Sequence, residues 1–109
     1  MDAYEKFKTS QQAQVRLDIA LTQWFLPEIP HRTEYEAYLH QRARSAAQRL
    51  IEQDDAEKLN ILWDKGWFSG GDLEMLLQLA VKNRKTECLM ALMDKKQEAG
   101  GFGKPDLRL

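Results

Sequence analysis

The chain carries one cysteine, Cys88, so no disulfide can form within it, and a reducing compartment suits it. Three prolines and six glycines among 109 residues leave long stretches without a breaker. No segments of alternating β-branched residues fill those stretches, which points to an all-α chain. No apolar run approaches the roughly 18–20 residues that span a bilayer. The opening MDAYEKFK is acidic and polar where a signal peptide needs a basic segment and then an apolar one, so the expectation is a cytoplasmic protein. Charge of one sign is missing too. A formal net charge of −1 sets up no global field to draw in nucleic acid or an anionic membrane. Apolar residues at 43% and charged residues at 30% are instead the balance of an ordinary folded domain. The length allows one α-helical domain with one modest core, placed here at residues 1–99. The Gly- and Pro-containing stretch 100–109 has no period and is expected to be a mobile tail.

Residues 1–30 read as an N-terminal capping helix or helices. Asp2 to Glu5 forms a capping box, and Thr9 to Gln12 admits a second, which would split the segment into a short helix and a longer one. Leu17, Leu21 and Trp24 then share a face, with Ala20 and Phe25 beside it. Pro27 and Pro30 end this part, because neither can donate to the helical ladder. Thr33 to Glu36 is a further capping box, opening one helix over 33–53. Its inward face is Tyr35, Tyr38, Leu39, Ala43, Ala46, Ala47, Leu50 and Ile51.

The stretch from Leu50 to Lys96 contains two copies of one unit, LIEQDDAEKLNILWDKGW and AVKNRKTECLMALMDKKQ, about thirty residues apart, which marks a repeat architecture. Glu57 falls on Glu87, Leu59 on Leu89, Leu62 on Leu92, Trp63 on Met93 and Lys65 on Lys95. Asp54 to Glu57 is the capping box of the second helix of the first copy, which Gly66 closes as a residue that accepts positive φ. Trp67 and Phe68 lie in the connector, and Ser69 caps the next helix with Asp72 in its first turn. Leu73, Leu76, Leu77, Ala80 and Val81 form its apolar face. In the last helix Cys88, Leu89, Leu92 and Met93 are expected inward.

At these residues the sequence resembles the ankyrin repeat family. Leu77 to Lys96 is similar to the family's leucine-alanine helix, tight turn and glutamate-opened helix ending in a leucine pair; Leu50, Glu57, Leu59, Leu62, Trp63 and Gly66 match in the first copy. The threonine-proline-leucine-histidine signature is replaced by Met75 to Gln78. Asp54 and Arg84 stand where the family has a glycine between paired helices, and Asp tolerates that left-handed turn better than Arg. The connector from Gly66 to Asp72 is too short for a projecting hairpin. The resemblance therefore implies an ankyrin-like fold: two stacked helix-turn-helix pairs over 33–98 with the N-terminal helices packed on them. About three or more such units are normally needed to bury their faces, which gives the N-terminal helices a capping task.

Chemistry is sparse. Glu36 and His40 are one helical turn apart, but a transition-metal site needs about three or four protein ligands, and His31 is the only other histidine; the pair reads as solvated. Cys88 lies on an apolar face and reads as buried and inert rather than as a nucleophile. Gly100 to Lys104 hints at a phosphate loop, yet Glu98 and Pro105 occupy the places of its essential Gly and Ser or Thr. Arg32, Arg42, Arg44 and Arg49 make the helix over 33–53 basic, but Glu34, Glu36 and Glu52 interleave, as on a solvated face. The cluster from Lys82 to Lys85 is read in the same way. Catalytic, metal and cofactor residues are therefore expected to be none.

The reading is a non-enzymatic protein–protein interaction module using a stacked-helix surface. In the ankyrin family partners usually contact the connectors and the first helix of each pair. Carried onto this chain, the resemblance implies a surface of Trp67, Phe68, Arg44, Gln48, Glu74, Gln78 and Lys82. The competing reading of Trp67 and Phe68 is that they fold back and seal the helix pair. The alternative function is a nucleic-acid-associated regulator using the basic helix 33–53. A second copy of the chain is a further candidate partner, because a stack of two units leaves an apolar end at Leu89 to Met93.

Overall fold

A computed structural model describes residues 2–98 of the chain. Seven helices and no strand occur among them: α1 Ala3–Thr9, α2 Ala13–Trp24, α3 Arg32–Gln41, α4 Ala43–Glu52, α5 Ala56–Trp63, α6 Gly70–Lys82 and α7 Thr86–Glu98. The expected tail at 100–109, with its glycine-rich loop, lies outside the described residues. The fold is all-α. Its packing divides the chain into two compact units, Met1–Ala46 and Ala47–Leu109, each taken here over its described residues.

In the first unit Asp2 caps α1 by accepting the Glu5 N–H at 2.8 Å. The split of the N-terminal segment into a short and a longer helix is realised, but Thr9 does not cap the second. Thr9 Oγ1 donates back to the Glu5 carbonyl instead, and Ser10 Oγ accepts the Gln12 N–H. Phe7 is the buried residue of α1, set edge-on against Tyr35 and Tyr38 of α3 at 4.9 and 5.1 Å between ring centroids. Leu17, Ala20, Leu21 and Trp24 are buried along α2, as their spacing predicts. Before Pro27 the helix stops, and the Arg32 guanidinium donates to the freed carbonyls of Trp24 (2.8 Å) and Leu26.

Two expectations for the segment 33–53 need correction. Thr33 is not an N-cap: α3 starts at Arg32 after His31, whose backbone is left-handed (φ 65°) and whose side chain does not cap. Nor is the segment one helix. Arg42, at φ −121° and ψ 39°, interrupts it and separates α3 from α4. No glycine or proline marks that break. The apolar spacing runs through it undisturbed, and Tyr35 to Ile51 at the expected positions are all buried. The Arg42 guanidinium lies over the Tyr38 ring, 4.3 Å from its centroid.

In the second unit the part of α4 from Ala47 onward forms one helix pair with α5, and α6 and α7 form the next. The turns within the pairs are the same structure. Asp54 N–H donates to the Ile51 carbonyl and Asp55 N–H to that of Leu50, both at 2.9 Å. One repeat later Arg84 N–H donates to Val81 (3.1 Å) and Lys85 N–H to Ala80 (2.9 Å). Each is a Schellman ending, in which a left-handed residue lets the last carbonyls of a helix be satisfied. Asp54 (φ 52°) and Arg84 (φ 57°) are those residues, at the two places where a glycine is usual. Gly66, after α5, takes φ 79°. The cap of α5 is a one-residue correction: Asp55, not Asp54, accepts the Lys58 N–H, at 3.1 Å. Buried Leu59 and Leu62 of α5, Leu73, Leu76 and Ala80 of α6, and Cys88 and Leu92 of α7 make the core, with Ala47, Leu50 and Ile51 of α4.

Candidate interaction surface

The connector between α5 and α6 is anchored at its far end by a complete capping box. Asp72 N–H donates to Ser69 Oγ at 3.3 Å, and Ser69 N–H donates to Asp72 Oδ2 at 2.9 Å. These bonds account for a carboxylate that is buried at the head of a helix, where the dipole also favours it. Phe68 folds back from the connector and stacks on Trp63, with ring centroids 4.9 Å apart and planes within 3°. Trp67 is half-buried beside it in sequence. Gln48, on α4, reaches Met75 of α6 through a weak contact from Nε2 to Sδ at 3.9 Å. Arg44 belongs to the first unit, where it is exposed near the start of α4.

Glu74, Gln78 and Lys82 stand one turn apart on α6 and are exposed, so their backbone spacing puts them on one face. They line a cleft of ≈ 430 Å³ together with Leu77, Val81, Leu89, Met93 and Lys96. The floor is aliphatic and thioether; the rim is charged. Lys96 Nζ bridges from α7 to Glu74 Oε1 at 2.8 Å.

The cleft corrects two core expectations. Val81 and Met93 do not point into the interior but are 59% and 42% exposed. The reason lies in the repeat. One repeat earlier the same places hold Ala47, Ile51, Leu59 and Trp63, of which the first three are buried and Trp63 is half-buried under Phe68. The second pair stacks on the first, α7 against α5, and closes that face. Among the described residues no third pair follows α7, so the equivalent face of the second pair stays open. Of this cleft, Leu89 to Met93 was legible as an apolar end of the stack. Leu77 and Val81 were missed, although aligning both copies on the closed face of the first would have found them; Lys96, which falls on Gly66, has no such signal.

The side chains that line the cleft are aliphatic, thioether, amide and charged, with Glu74 the one carboxylate among them. Elsewhere, Cys88 is fully buried. Its thiol points at the Leu50 carbonyl at 3.8 Å, and burial first, then Asp54, pushes its pKa up to about 12. Asp54 itself is held below the usual carboxylate range, chiefly by the Cys88 backbone N–H that it accepts at 3.0 Å.

In the first unit Tyr4 stacks on His31 with 3.5 Å between centroids, and its hydroxyl donates to the Glu34 carboxylate. That bond raises the Tyr4 pKa and lowers that of Glu34. Glu36 accepts from the Trp24 indole N–H at 3.2 Å. Among the described residues no three His, Cys, Asp or Glu side chains gather closely enough to hold a metal ion. Several basic residues of 32–49 have partners within their own unit. Arg32 holds the end of α2, Arg42 stacks on Tyr38, and Arg49 pairs with Glu52 at 3.0 Å. No described helix is long and apolar enough to cross a membrane.

No protein-family model, no curated protein and no solved structure matches the chain.

Proposed function

We propose that this is a non-enzymatic, cytoplasmic protein–protein interaction module whose binding surface lies on the second, ankyrin-like helix pair. The observation that carries the reading is the open cleft between α6 and α7. Leu77, Val81, Leu89 and Met93 form an apolar floor, and Glu74, Gln78 and Lys82, three residues expected at a binding surface, stand around it. An apolar centre inside a polar rim is the anatomy of a protein-binding patch. Trp67 and Phe68 contribute at the near edge of α6, with Phe68 already supported by Trp63. Nothing in the geometry favours the nucleic-acid alternative, since Arg32, Arg42 and Arg49 are engaged within the fold.

The test is capture from extract with three baits: the wild type, Val81→Asp/Met93→Asp and Trp67→Ala/Phe68→Ala, each checked for helicity. A partner held by the wild type and lost on the cleft variant supports the reading. Retention by all three folded baits, or recovery of nucleic acid alone, removes it.

A further inference from the structure

We propose that the cleft between α6 and α7 is a self-recognition surface, closed by the same face of a second copy of this chain around a two-fold axis. The inference rests on the reading of this cleft as a protein-binding surface and names its occupant. The first argument comes from the repeat. The face formed by Ala47, Ile51, Leu59 and Trp63 is closed by a helix pair packed on it, whereas its equivalent Leu77, Val81, Leu89 and Met93 is open. The natural cover for such a face is therefore another helix pair.

The opposite face of the second pair is already used inside the chain: Cys88 meets Leu50 and Asp54, and Met75 meets Gln48. What this pair still offers a second copy is the open face itself, and a contact between two identical faces is isologous.

The second argument is charge. Glu74 and Lys82 lie on the same face of α6, two turns or about 12 Å apart, with Gln78 midway. A two-fold axis through Gln78 and perpendicular to α6 lays two copies of the helix antiparallel. Glu74 of each copy then meets Lys82 of the other, Lys96 reinforces the same carboxylate, and Gln78 meets Gln78. The uncharged floor residues Leu77, Val81, Leu89 and Met93 come together between the two pairs of opposite charges. The face is thus complementary to itself, in apolar content and in the sign and spacing of its charges.

Sedimentation equilibrium of the full chain, from a few micromolar to several hundred, tests this. The mass should move from 12.7 kDa towards twice that value. Glu74→Lys alone leaves only cations at both ends of the interface, beside Lys82 and Lys96, and should weaken dimerisation by roughly tenfold or more; Lys82→Glu alone sets two carboxylates against Lys96 at each end and should weaken it by less. An equimolar mixture of the two variants restores both opposite pairs, and its mixed dimer should form about as tightly as the wild type. Val81→Asp/Met93→Asp should be monomeric. Far-UV circular dichroism of every variant confirms that these exposed substitutions leave the helices intact. A wild type that stays monomeric throughout overturns the inference, as does a mixture that associates no better than its components. If the wild type is monomeric yet a captured partner is lost on Val81→Asp/Met93→Asp, self-pairing fails and the interaction reading stands. If the chain dimerises with cleft and charge variants unaffected, this surface is the wrong one.

Discussion

The Asp54 carboxylate, in the turn between α4 and α5, accepts the backbone N–H of Cys88 near the start of α7 at 3.0 Å. The turn of one helix pair thereby caps the second helix of the next. In the first pair the equivalent N–H, that of Lys58, is capped locally by Asp55. Its counterpart in the second pair, Lys85, has no carboxylate to offer, and Asp54 supplies one across the stack. Asp54 therefore carries two tasks: it takes the left-handed backbone of its own turn (φ 52°) and ties one repeat to the other.

Arg84 has the first of those tasks without the second, so glycine should act oppositely at the two sites. Arg84→Gly removes a side chain from a left-handed position and should raise stability by about 1 kcal/mol. Asp54→Gly gives the same backbone relief but leaves the first turn of α7 uncapped, and should lower the melting temperature by several degrees. Thermal unfolding of both variants decides it; equal stabilisation would show that the Asp54–Cys88 bond adds nothing.

The same bond predicts a pH dependence. Asp54 is held below its ordinary value of 3.8, so the folded state binds its proton less readily than the unfolded chain. Its contribution is complete above that value and is lost as pH falls through the lower, folded pKa. Wild type and Asp54→Asn should therefore differ in urea midpoint at about pH 6 and draw together as pH falls below 3.8 and through the lower, folded pKa. A difference constant across that range would assign the effect to shape rather than charge.

Cys88 should behave as a core residue. With its pKa at about 12, the thiolate fraction at pH 8 is about one part in ten thousand, and the thiol is buried. An aromatic disulfide reagent should modify it only as fast as the chain opens, and urea should accelerate labelling by orders of magnitude. Rapid stoichiometric labelling of the native protein would contradict the burial.

In the first unit the Tyr4–Glu34 bond should make the docking of α1 sensitive at both ends of the pH scale. Glu34, lowered from 4.5, stabilises the fold above that value and ceases to do so as pH falls through its folded pKa. Tyr4, raised from 10.0, holds its proton better when folded, so stability is lost as pH rises past 10.0. The protection factors of the α1 amides, corrected for intrinsic exchange at each pH, should fall at both extremes in the wild type and lose the acid limb in Glu34→Gln. Phe7→Ala should cost about 3–4 kcal/mol, because it empties the space between Tyr35 and Tyr38.

Much of this architecture can be read along the chain because it is local. Periodic apolar residues, Asp2 and Ser69 as caps, Pro27 as a stop and Gly66 as a left-handed residue each act within one or two turns, and the core of α2, α3 and α4 follows from spacing. The repeat between Leu50 and Lys96 is legible for the same reason, and so are its two turns without glycine. The break at Arg42 is not legible. No residue there forbids a helix, and the apolar period survives the interruption. Phe68 stacking on Trp63 is a matter of where a connector returns, which composition does not specify.

The cap that Asp54 extends to Cys88 joins residues a full repeat apart, and no short motif encodes it. Val81 and Met93 carry the same apolar signal as Ile51 and Leu59, yet one set is open and the other buried. Periodicity specifies that a helix face is apolar. What covers that face depends on which element stacks against it, and a local pattern contains no information about that.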